Sequence, residues 1–147
     1  MTTISIHPRR VARECILKAL FAYYYTNDDY NKILDSLITK KPGLKKNADF
    51  IHFLFEYVQK HMDWAEDQIK SHLENWDLER VALIDKLLLK MGICEIYFMD
   101  DIPPKVTISE MVEISKIYST DESPVFINGI LDAVYKDYKN KEKGMIV

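Results

Sequence analysis

Only four glycines and five prolines occur among 147 residues. So few tight-turn residues leave little room for the many short connections of a β-sandwich or barrel, and they favour helices. Cysteine is equally scarce. Cys15 and Cys94 stand far apart, with no CxxC spacing and no pairing with the four histidines. That excludes a disulfide framework, and both residues fall in apolar helical runs, where buried free thiols suited to a reducing cytoplasm are expected. No run reaches the ~18 uncharged apolar residues of a membrane span. The longest, Leu87 to Met99, is broken by Lys90 and Glu95, and the opening MTTISIHPRR has no apolar signal core. A soluble cytoplasmic protein without a membrane segment is therefore expected.

Chemical signatures are missing too. There is no glycine-rich phosphate loop, no HExxH, no GxSxG and no His/Cys cluster at metal spacing. His61 and His72 are eleven residues apart and could share a helix face, yet no third ligand stands near them. The acid pairs Asp28/Asp29 and Asp100/Asp101 fall at helix boundaries, where capping accounts for them. No serine, cysteine or lysine adjoins an obvious base. Catalytic residues, a metal and a cofactor are all read as none.

What is present is a helical pattern long enough for one domain that buries ~70% of its unfolded surface. After Pro8, the residues Ala12, Cys15, Ile16, Ala19, Leu20 and Tyr23 recur at spacings of three and four. TNDD ends this helix, and Asp28 or Asp29 can cap a second one carrying Ile33, Leu34, Leu37 and Ile38. KKPGLKKN is a loop, with Asn47 placed to cap the next helix. Phe50, Phe53, Leu54, Tyr57, Val58, His61 and Met62 make the stripe of that third helix, which continues or breaks near Asp63. Glu79 to Met99 is apolar on nearly every side in its second half and reads as the central helix. Gly92 inside it implies the close approach of a neighbour. Thr107 and Glu110 fit a capping box, and Ser123 with Pro124 opens the last helix. The fold is expected to be all-α with about seven helices, forming a single domain over residues 1–139. Its N-terminal part spans about 8–74 and its C-terminal part about 76–139, with a charged, flexible tail at 140–147.

Charge is unevenly spread. Residues 1–20 carry four bases against one acid and residues 32–46 five bases against one, whereas residues 49–101 hold twelve acids against five bases. Such segregation suggests one anionic and one basic partner. Arg9, Arg10 and Arg13 gather at the start of one helix, where the dipole disfavours cations and backbone N–H groups welcome an anion. Two readings stay open for them: phosphate or RNA binding through planar guanidinium forks, or pairing with Glu14 or an acid from another helix. Tyr23, Tyr24 and Tyr25 point about 100° apart, too divergent for one stacking platform, and one or two are expected in the core.

The stretch RRVARECILKALFAYYYT resembles the opening of the NusB family of transcription antitermination factors. WDLERVALIDKLLLKMGICEI, DIPPKVTISEMVEISK and SPVFINGILD come after it in the family's order, so the resemblance covers about residues 9–135. It implies two packed helical subdomains and no enzymatic activity. It further implies binding of the boxA element of ribosomal RNA leaders jointly with NusE, a small ribosomal protein, in an assembly that makes RNA polymerase resist termination. Carried over, Arg9, Arg10 and Arg13 would hold phosphates with Phe21 nearby. Phe126 and Asn128 would lie at or beneath the RNA surface, and Asp85 and Glu122 would meet the basic NusE. Departures from the family pattern include Ser109 for asparagine, Lys90 for arginine, and Gly92 and Ser115 for alanine. Some relatives pair through the arginine-bearing face, so a homodimer is compatible with this sequence. The same fold also forms the N-terminal domain of an RNA cytosine methyltransferase, a reading set aside because this chain ends at Val147. The alternative from another class is a NusB-fold protein-interaction or dimeric module without RNA binding.

Overall fold

A computed structural model of the chain describes residues 8–74 and 77–146, the last four by backbone alone. Seven α-helices are present: α1 (Pro8–Thr26), α2 (Tyr30–Lys40), α3 (Ala48–Lys60), α4 (Met62–Lys70), α5 (Leu83–Phe98), α6 (Pro104–Tyr118) and α7 (Ser123–Ile146). Short 3-10 segments occupy Pro42–Asn47 and Leu78–Arg80, and there is no strand among the described residues. The fold is all-α. No described helix is long and apolar enough to cross a membrane.

Two compact units divide the chain between Glu56 and Tyr57, inside α3. The sequence pattern had placed the division near residue 75. It falls earlier because α4 packs onto α5: the Trp64 ring lies 4.8 Å from Tyr97 and 5.5 Å from Phe98, and Lys90 Nζ is 3.0 Å from Glu66 Oε1. These contacts tie α4 to the second unit.

In the first unit α1 buries Ala12, Cys15, Ile16, Leu17, Ala19 and Leu20. The helix stops at Asn27, whose φ of 55° lies in the left-handed region that asparagine tolerates, with its N–H donating to the Tyr23 carbonyl. Asp29 then caps α2 by accepting from the Asn31 N–H at 3.0 Å. The 3-10 segment carries Leu44 into the interior. The buried stripe of α3 is Phe50, Ile51, Leu54, Phe55 and Val58, so Phe53, expected in it, is instead 54% exposed. The helix is rotated so that Ile51 and Phe55, one position beyond Phe50 and Leu54, fill the core.

In the second unit α5 is the central helix, buried without interruption from Leu87 to Ile96. A Cβ on Gly92 would stand 2.8 and 2.9 Å from the two δ-carbons of Leu131 on α7, the close approach that the glycine implied. Thr107 does not cap α6, which begins three residues earlier behind Pro103. Its hydroxyl donates at 2.9 Å to the fully buried Glu95. A carboxylate inside a helical core needs such a donor, and this need outweighs the local capping preference. Ser123 and Pro124 do open α7, which remains helical past residue 139, where the charged tail was expected, to Ile146.

Candidate functional site

The N-terminus of α1 has no acid in its first turn, so nothing in the helix offsets the positive end of its dipole. Arg9 is exposed, and its guanidinium sits 4.4 Å from the centroid of the Phe50 ring. Arg13 approaches the same ring at 5.2 Å but is only 2% exposed. Its burial is a matter of spacing. Ile16, Leu17 and Leu20, at three, four and seven residues beyond, are all core positions, so Arg13 lies on the buried face of α1. Arg10 lies on another face and is half-buried. Both Arg10 and Arg13 have interactions within the protein. The three arginines that sequence grouped together are thus divided between the outside, the rim and the interior of one helix end.

Further along α1, Phe21 is 38% exposed, and its ring centroid is 4.9 Å from that of Tyr25. Tyr24 joins Tyr25 at 5.2 Å in an edge-to-face arrangement, and both tyrosines are more than 60% exposed. Neither is core. Only Tyr23 turns inward, towards Tyr30, which in turn packs on Phe55. The exposed rings thus cluster although the Cα–Cβ vectors of Tyr24 and Tyr25 diverge, because long side chains at i, i+3 and i+4 can lean together.

The second unit carries a cavity of about 610 Å³ between the start of α5 and the start of α7. Its lining includes Asp85, Asp121 and Glu122 against one base, Arg80, with Val81, Val125 and Phe126 as apolar wall. Asp85 is 6% exposed and accepts hydrogen bonds from the hydroxyls of Ser119 at 2.6 Å and Ser123 at 2.9 Å. The Ser123 hydroxyl also accepts the N–H of Thr120 at 3.2 Å. This network fixes the turn between α6 and α7 and with it the exposed Glu122. Phe126 shares the cavity with Asp85 and Glu122. Asn128, two residues on and so nearly opposite on the helix, lies in a different groove of about 300 Å³ with Lys105, Ser109 and Asp132.

Several residues escaped the sequence reading. Phe50 looked like an ordinary member of an apolar stripe, and only the tertiary structure shows Arg9 resting on it. Ser119 and Ser123, which hold Asp85, lie 34 and 38 residues from it in sequence, and neither carries a local signal of that contact, although Ser123 is legible as the start of the last helix. Lys105 and Ser109 join Asn128 only through helix packing.

No group of three His, Cys, Asp or Glu side chains is close enough to hold a metal ion among the described residues. His61 Nδ1 lies 2.8 Å from the Tyr57 carbonyl, and His72 Nε2 lies 2.8 Å from Asp137 Oδ2, so the two histidines have separate partners. Burial pushes the Cys15 thiol up to about 11 and the Cys94 thiol up to about 12, which keeps both protonated near neutral pH.

These features find a counterpart among known proteins. A family model described as the NusB family matches residues 10–136. A transcription antitermination protein NusB of Nitratiruptor sp. is 39% identical over 132 residues, covering 90% of this chain and 94% of that protein. One of the same name from Chloroherpeton thalassium is 40% identical over 134 residues, covering 90% of this chain and 64% of the longer relative. The solved structure of T. maritima NusB matches with a TM-score of 0.79 at 34% identity, over 92% of this chain and 93% of that one. A chain from the crystal structure of antitermination factors NusB and NusE in complex with dsRNA matches with a TM-score of 0.76. At 20% identity over 90% of this chain and 99% of that one, it bears on the fold alone. With a family match from the arginines of α1 into α7, and relatives near 40% identity, the chain belongs to the NusB family.

Proposed function

We propose that this protein is an RNA-binding adaptor of transcription antitermination, which takes up boxA-type RNA from ribosomal RNA leaders together with NusE and presents the assembly to RNA polymerase. The observation that carries the reading is the tip of α1, where the exposed Arg9 rests on Phe50 at an acid-free helix N-terminus. An aromatic platform restricts the guanidinium, so less conformational freedom is lost when its planar fork meets a phosphate. Arg10 adds charge at the rim, and Phe21 offers an exposed ring to an unpaired base. Arg13 acts from the interior, by sharing Phe50 and raising the local potential. Asn128, with Lys105 beside it, supplies a separate polar groove for RNA. The acidic cavity around Asp85 and Glu122 suits a basic protein partner, and Phe126 forms its apolar wall. Function consists of assembly at these surfaces, and no covalent step is required.

Fluorescence anisotropy of a labelled boxA-type RNA tests the reading. The titration is run with and without NusE, at two salt concentrations, beside a scrambled RNA and an Arg9→Glu/Arg10→Glu variant. Salt-sensitive binding that prefers boxA, strengthens with NusE and collapses in the variant is expected. The rival reading, a protein-interaction module without RNA binding, draws on the burial of Arg13. It predicts that wild type and variant bind both RNAs equally weakly while NusE still binds.

A further inference from the structure

Arg10, Glu14, Lys18, Phe21 and Tyr25 succeed one another at spacings of four, four, three and four, so they line one face of α1. From Arg10 to Tyr25 this face runs ~22 Å at the rise of an α-helix. Its middle forms one wall of a cavity of about 220 Å³ whose floor is apolar, with Val11, Leu37 and Leu44. Three lysines stand around that floor: Lys18 from α1, and Lys40 and Lys41 from the end of α2. Lys45 and Lys46 of the adjoining 3-10 segment are exposed beside it. Lys18 already has an interaction within the protein, so the free cationic character of the rim rests on the exposed Lys40 and Lys41. The far end of the face is the exposed Phe21–Tyr25–Tyr24 ring cluster.

We infer that this face is a second RNA segment site, which takes the single strand flanking the recognised element, its phosphates on Lys40 and Lys41 and its bases stacked on Tyr24 and Tyr25. The inference rests on the RNA-binding reading above and extends it from the tip of α1 along the length of the helix. Three observations favour a single strand over a protein partner. The rim is cationic, while the only acid on the face, Glu14, lies four residues from both Arg10 and Lys18, where those cations offset it. The exposed rings form a cluster whose faces accept any base, as sequence-independent strand binding requires. The face is also continuous on one helix with Arg10, so a strand held at the tip has a direct path onto it.

The test compares a boxA-type core RNA with the same core carrying an oligouridine tail at its 5′ or its 3′ end. One tail is expected to raise affinity about tenfold, the scale of one or two stacked bases. Tyr24→Ala/Tyr25→Ala and Lys40→Gln/Lys41→Gln should each remove most of that gain and leave core affinity unchanged. The lysine variant should also lower the salt dependence of tailed-RNA binding by about 1.4 in log–log slope, because two single-strand phosphate contacts are lost. Thermal melting of both variants checks that the fold is intact. Core binding with no gain from either tail overturns the inference and leaves the parent reading standing, as does a gain that both variants retain. If the core RNA itself does not bind, both readings fall.

Discussion

Glu66 and Lys90 lie 3.0 Å apart, yet they are unequal partners: the lysine side chain is 6% exposed and the glutamate 35%. Removing the glutamate strands an ammonium in the core, whereas removing the lysine leaves a carboxylate that can still face water. Glu66→Ala should therefore cost about 3 kcal/mol in urea unfolding, while Lys90→Met should stay within about 1 kcal/mol of wild type. The same logic of position governs Arg9 and Arg13. Both touch Phe50, but only the exposed Arg9 can reach a ligand, because Arg13 is held in the interior. Phe50→Leu keeps most of the apolar volume and removes the ring face. It should weaken RNA binding about three-fold in anisotropy, with a stability loss below about 1.5 kcal/mol. Cys94 contributes a pH dependence of known sign. Its thiol is raised from 9.0 to about 12 in the folded chain, so its contribution is complete below pH 9 and is lost as pH rises through about 12. Between about pH 8 and about pH 10 the folded state should lose ~1 kcal/mol through this group, and Cys94→Ala should flatten that part of the curve.

The helices themselves were largely legible in the chain, because spacings of three and four and the turn residues at Asn27, Pro42 and Pro103 are local signals. The centrality of α5 was equally plain, since no amphipathic face survives from Leu87 to Ile96. What local reasoning misjudged was decided by partners distant in sequence. Thr107 forgoes a cap for Glu95, Phe53 yields its core position to Ile51 and Phe55, and α4 joins the unit that its aromatic contacts dictate. For the candidate site the residue types were legible, but their grouping was not. Arg9, Arg10 and Arg13 separate, and Phe126 parts from Asn128, because a helix two residues on faces the other way. Gly92 is where one element constrains another. Gly92→Ala gains ~1 kcal/mol in helix propensity but presses on Leu131, and the net change should be a loss of about 1 kcal/mol. Adding Leu131→Val opens the space, so a double-mutant cycle by chemical denaturation should show favourable coupling of at least about 0.5 kcal/mol.

Across the whole molecule, bases dominate residues 8–46 and acids dominate 49–101, although the net charge is only −3. RNA and a basic protein match the two signs of this distribution along the chain, and screening confines the field of each charge to about 10 Å. Glu122→Lys should accordingly weaken NusE binding about tenfold in calorimetry while RNA binding without NusE is unchanged or slightly tighter. The burial of both thiols has a practical consequence. With values near 11 and 12 and exposures of 4% and 0%, Cys15 and Cys94 present almost no thiolate at neutral pH. A cysteine introduced on the surface, for example in place of Ser109 or Lys45, would react with maleimide dyes roughly a hundredfold faster or more. The native chain is thus already a labelling background, and fluorophores or spin labels can be attached one at a time without first removing its own cysteines.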